Sequence, residues 1–137
     1  MKELNPFLLL MKFNLKTIIL FGQDVDRLKT FYVDILNLDI VEEVESEWLL
    51  LQAGNCRIGI HKIGEQYLHG NQEESASENN TKLIFEVDED IFEVREKLLR
   101  QNVFIQAIKT FENYGFWLCD GTDPEGNVFQ LSQRKDA

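Results

Sequence analysis

The chain of 137 residues is poor in cysteine, in positive charge and in long apolar runs, and each shortage removes a class of protein. Its two cysteines, Cys56 and Cys119, sit in strand-like stretches, with no CxxC pair and no Cys/His cluster. That pattern excludes a disulfide framework or a zinc cluster and leaves two reduced thiols, as in a cytoplasmic protein. Lys and Arg number 14 against 24 Asp and Glu, a net charge of -10. Such a balance opposes binding to nucleic acid, whose phosphates need a Lys/Arg surface, and to anionic membranes. No segment approaches the roughly 20 apolar residues that span a bilayer. The run Phe7-Leu8-Leu9-Leu10-Met11 is too short for a signal peptide and no small-residue cleavage site follows it. It reads as an extension ahead of the domain, with Met11 as an alternative start.

What the chain does have is enough apolar residues, 44%, for one domain with its own core. The elements fall into two similar halves. Residues 12–21 read as a strand, and Asp24 is placed to cap a helix that runs to about Leu36 and buries Leu28, Phe31, Ile35 and Leu36. Strands follow at about 38–45, 47–53 and 56–62. The order then repeats, with a strand at about 81–87, a helix whose core stripe is Ile91, Val94, Leu98 and Leu99, and strands near 103–109, 114–120 and 127–132. Module one spans about 12–62, a polar linker about 63–80, and module two about 81–134. The linker carries His69 and the solvated run Gln72 to Asn80.

The expected fold class is therefore α+β. Two tandem βαβββ modules form a curved mixed sheet around a concave cleft, with helices on the outer face. Alternation gives each strand two sides. Thr17, Ile19, Gly59, His61, Lys82, Ile84, Glu86, Val128, Gln130 and Ser132 face the cleft. Ile18, Leu20, Ile58, Ile60, Leu83, Phe85, Val87, Phe129 and Leu131 face the helices. The turn Asp123-Pro124-Glu125-Gly126-Asn127 delivers the chain into the last strand, where Gln130 is a polar residue between apolar neighbours.

That turn, together with Phe31-Tyr32 ahead of Leu36 and Leu38 and the run Leu83-Ile84-Phe85-Glu86-Val87-Asp88, resembles the vicinal oxygen chelate superfamily over roughly residues 13–134. The superfamily includes glyoxalase I, extradiol dioxygenases and bleomycin-resistance proteins. The resemblance implies a small-molecule site in the cleft, a homodimer and, in the enzymes, a divalent metal held by His, Glu or Gln. The matching positions here are Thr17, Lys82 and Gln130, with a fourth near Gly59 and His61 two residues beyond it. Thr17 is a poor ligand, and the Lys82 ammonium would repel a cation.

The expectation is accordingly a ligand-binding cup without the usual metal triad and with no cofactor. Thr17, Gly59, His61, Lys82, Glu86, Trp117 and Gln130 are its ligand-binding candidates, and His61 is the best candidate for acid–base chemistry. In the bleomycin-resistance branch the acidic chain would hold a cationic or aromatic ligand by stacking and charge. The alternative is a lyase, isomerase or dioxygenase of glyoxalase type with one divalent metal ion. A third possibility is a binding or regulatory module with an unrelated ligand.

Overall fold

The computed structural model describes residues 12–64 and 80–136. The extension before residue 12, His69 and the run Gln72 to Asn79 lie outside the described residues. Module one comprises β1 (Thr17–Gly22), α1 (Val25–Lys29), β2 (Asp39–Val44), β3 (Trp48–Ala53) and β4 (Cys56–Lys62). Module two comprises β5 (Lys82–Glu86), α2 (Ile91–Arg100), β6 (Phe104–Ile105), β7 (Phe116–Thr122) and β8 (Val128–Arg134). The sheet orders are β1-β4-β3-β2 and β5-β8-β7-β6. In each, the first strand runs parallel to the last and the remaining pairs are antiparallel. The duplicated α+β architecture read from the sequence is thus present.

Helix α1 starts where expected, because the Asp24 side chain accepts a hydrogen bond from the Arg27 amide at 3.1 Å. It then widens into a π-helical stretch, Thr30–Ile35, which lets the adjacent Phe31 and Tyr32 both turn inward and become buried. Asn37, at φ 60°, ends it in the left-handed region that Asn tolerates. Helix α2 is capped by Asp90, which accepts from Phe92, and by Gln133 of β8, which accepts from the buried Ile91 amide at 2.9 Å. Of its predicted stripe, Ile91 and Leu98 are buried and Val94 is half-buried, whereas Leu99 is exposed. The expected strand at 103–109 shrinks to the two residues of β6 and a single bridge from Lys109 to Leu118, so module two has a short, easily passed edge.

One core serves both modules. It joins Leu28, Phe31, Tyr32, Leu49, Leu51, Ile58 and Ile60 of the first to Leu83, Ile91, Cys119, Phe129 and Leu131 of the second. The Phe31 and Phe129 rings lie 5.6 Å apart. The helix-facing sides of the two sheets therefore meet each other, and no strand of one module pairs with a strand of the other among the described residues. The two concave faces accordingly belong to two separate four-stranded sheets.

The Asp123 turn clasps the modules. Buried Tyr32 donates its hydroxyl to Asp123 Oδ2 at 2.7 Å, and Asp123 Oδ1 accepts from the Glu125 and Asn127 amides at 2.9 and 3.0 Å. Glu125 in turn accepts from the Gln23 and Asp24 amides, both at 2.8 Å, beside the start of α1.

Burial and the neighbouring Asp123 charge raise the Tyr32 phenol far above its ordinary value of 10.0. The unfolded chain loses that proton above about pH 10 while the folded chain keeps it. The stabilisation is therefore full below that pH and declines as pH rises above it. Tyr32→Phe should cost about 1–3 kcal/mol at neutral pH and flatten the alkaline fall in stability, both read from urea melts across pH. A second outcome concerns Gly121, where an added Cβ would stand 2.5 Å from Phe129 Cζ and 2.9 Å from the Phe104 carbonyl oxygen. Gly121→Ala should destabilise by about 1–3 kcal/mol in the same assay, since neither the buried ring nor the backbone can retreat freely.

Candidate functional site

Cross-strand register assembles the concave face of module one from alternate residues. Thr17, Ile19 and Phe21 of β1 stand opposite Arg57, Gly59 and His61 of β4, which stand opposite Gln52, Leu50 and Trp48 of β3. The parity expected from the sequence holds, since Ile58 and Ile60 are buried on the helix side while Phe21 is 64% exposed. His61 is the hub of an aromatic group, with its ring edge-on to Phe21 at 5.8 Å and to Trp48 at 6.0 Å. Its Nδ1 lies 2.8 Å from the Lys62 carbonyl oxygen, which suits the tautomer protonated on Nδ1 and leaves Nε2 as an acceptor. Trp48 donates its indole N–H to Glu42 at 3.1 Å.

Gly59, a ligand-binding candidate from the sequence, has the space above its Cα filled by Trp48. An added Cβ would fall 2.5 Å from Trp48 Cη2. The glycine is required by the ring laid across it, and the ring forms the floor of the module-one face. Thr17 sits at the half-buried start of β1, in register with Arg57, whose Nε donates to Gln52 at 3.0 Å.

The concave face of module two is ionic at its centre, with Phe116 and Arg134 at one end. Lys82, Ile84 and Glu86 of β5 lie in register with Val128, Gln130 and Ser132 of β8, and Gln130 stands opposite Asp120 of β7. Asp120 Oδ2 receives the Lys82 ammonium at 3.0 Å and that of Lys109 at 3.4 Å. Asp120 Oδ1 receives the Gln130 amide at 2.8 Å. Burial alone would raise the Asp120 carboxyl, but the Gln130 amide and the two lysines outweigh it and hold the group below the usual carboxylate range.

The sequence reading placed Lys82 and Glu86 on this face and did not single out Asp120 or Lys109. Their signal was the alternation of β7, where Asp120 is the one acid in a hydrophobic strand. Glu86 instead lies at the far end of β5 and lines a groove of about 430 Å³ between the modules, with Leu36, Leu38, Phe85 and Leu98 among its walls. Trp117 must be corrected as well. Its register with Gln133 puts it on the helix side, where its ring meets Phe92 of α2 at 5.3 Å and Lys135 covers it. Gly115 and the turn before it shift β7 by two residues from the expected 114–120, but parity alone separates Trp117 from Gln130.

The donor set does not suit a divalent ion. Among the described residues no group of three or more His, Cys, Asp or Glu side chains is gathered as a ligand cluster. On the module-two face an ammonium already occupies the carboxylate, and the Gln130 amide nitrogen points at the same acid. A cation there would have to displace a like charge.

No curated protein matches the chain. Solved structures do. They include an integron cassette protein from the mobile metagenome of V. cholerae, 20% identical, covering 90% of this chain and 98% of that one with a TM-score of 0.67. An antibiotic-binding protein, TnmS3, from a Streptomyces species is 18% identical, with 90% and 98% covered and a TM-score of 0.67. A lactoylglutathione lyase from Agrobacterium tumefaciens is 15% identical, with 88% and 92% covered and the same TM-score of 0.67. At these identities the likeness concerns the fold. No helix among the described residues is long and apolar enough to cross a membrane. A family model, however, matches residues 14–131, and on that match the chain belongs to the Glyoxalase/Bleomycin resistance protein/Dioxygenase superfamily.

Proposed function

We propose that this protein binds a small organic molecule against its concave sheet faces, without a resident metal, in a site completed by a second copy of the chain. The observation that carries the reading is the uncovered apolar and aromatic character of those faces. On module one, Ile19 is 48% and Phe21 64% exposed beside the His61–Trp48 pair, and on module two Ile84 is 64% exposed. A solvated sheet face normally carries polar residues, and a contiguous apolar one marks a binding surface.

Two further features support a composite site. Strands β1 and β5, which bear Ile19, Phe21 and Ile84, are sheet edges among the described residues. No strand of one module pairs with a strand of the other among the described residues, which favours a second copy as the element that brings the two faces together. The antibiotic-binding protein of similar fold makes sequestration a natural role. The free thiols of Cys56 and Cys119 accord with residence in the reducing cytoplasm. A glyoxalase-type reaction would need a metal where Lys82 and Gln130 converge on Asp120, and those residues do not offer one a place.

Native mass spectrometry of the untagged protein, before and after addition of zinc, nickel or manganese, tests this directly. The expected species is a homodimer that takes up no stoichiometric divalent metal, with any extra mass belonging to an organic ligand. A monomer would remove the composite site. One metal per chain would turn the reading to lyase, isomerase or dioxygenase chemistry.

A further inference from the structure

We infer that the module-two face is an anion-recognition half-site, in which the ammonium groups of Lys82 and Lys109, both braced on Asp120, receive a carboxylate, phenolate or phosphate oxygen of the ligand. The inference rests on the reading of the concave faces as ligand surfaces and adds the chemical class of what they hold.

Charge arithmetic is the first support. Two lysines meet a single carboxylate, leaving a local surplus of positive charge on a chain whose net charge is -10. Among the described residues, the other formal charges on the strands of this face, Glu86 and Arg134, lie at the other end of β5 and β8 from Lys82, and Arg134 is drawn over the Phe116 ring. The second support is accessibility. The Asp120 side chain is 14% exposed and has both oxygens engaged, whereas the Lys82 and Lys109 side chains are 45% and 46% exposed. An ammonium donates more than one hydrogen bond, so each lysine retains donors that face solvent. Asp120 thus fixes the cations without neutralising both, and the Gln130 amide fixes Asp120.

The third support is position. Lys82 and Gln130 stand on the adjacent strands β5 and β8 and both bond Asp120 of β7, at the middle of the face. Here the chain supplies the positive charge itself. The sign of this half-site is therefore opposite to the cation-binding surface that the overall acidity suggests, and the exposed Ile84 beside it suits an organic body attached to the anion.

The test is a ¹H–¹⁵N NMR titration of the full chain with benzoate, benzylammonium, benzyl alcohol and inorganic phosphate. Benzoate should shift the Gln130 side-chain amide and the Ile84 and Asp120 backbone amides, with an affinity that falls as salt rises. Lys82→Met and Lys109→Met should each weaken it about tenfold or more, the loss of one charge-assisted hydrogen bond, while Lys82→Arg retains it. Both lysines are exposed, so these variants should keep the parent's dispersed spectrum. Phosphate binding with the same lysine dependence would support the site as one for free oxyanions, and benzoate binding alone as one for organic acids. If benzyl alcohol or benzylammonium binds this face as well as benzoate does, in Lys82→Met as in the parent, the anion inference fails while the ligand-face reading stands. If no probe moves any concave-face resonance, both fail.

Discussion

The buried contact between Tyr32 and Asp123 decides how the halves of this molecule are arranged. A phenol with no exposed surface donates to a carboxylate that is itself nearly buried, and each needs the other to be inside at all. The same turn sends Glu125 to the amides ahead of α1, so one five-residue segment holds the start and the middle of that helical stretch. With α1 held against module two, Phe31 packs on Phe129 and the helix sides of the two sheets share a single core. The consequence for function is geometric. Ile19 and Phe21 on one module and Ile84 on the other stay exposed on what would be the inside of a cup.

The two concave faces have diverged in chemistry although their strands repeat. Module one lays Trp48 over Gly59 and gathers Phe21 and Trp48 around His61, a surface suited to stacking. Module two places a carboxylate under two lysines and a glutamine, a surface suited to charge. A duplicated fold that brings unlike faces together can grip the flat body of a ligand on one side and a polar group on the other. Such division of labour fits the breadth of chemistry hosted by this superfamily, in which the fold positions faces and the side chains on them choose the ligand.

Much of this was legible in the sequence, for reasons that can be named. Period-2 alternation assigned Gln130, His61 and Lys82 to one side and Ile60, Phe129 and Leu131 to the other, because a one-residue slip would have exposed the whole apolar set. The Asp24 cap was visible because its chemistry is local. What could not be read were partnerships across long separations. Asp120 meets Lys82 38 residues away, and Glu125 meets Gln23 102 residues away, with no local pattern to announce either. The turn was read as geometry for the last strand, and its carboxylates proved to be a clasp. The shortness of β6 was hidden for the opposite reason. Residues 103–109 alternate well enough to be a strand, yet their pairing with β7 is limited to Phe104 and Ile105, one bond from the Gln106 amide to the Asp120 carbonyl and a bridge at Lys109.

The central claim is that the concave faces stand on separate sheets within one chain and meet only between chains. Spin labels at Thr17→Cys and Ser132→Cys, in a chain carrying Cys56→Ala and Cys119→Ala, measure it by double electron–electron resonance. The labelled chain would be refolded alone and with an excess of unlabelled protein. The account predicts that the diluted sample retains only the long intrachain distance, and that a shorter distance appears when every chain is labelled. A short distance that survives dilution would show the two faces closing on each other inside one chain, and would contradict it.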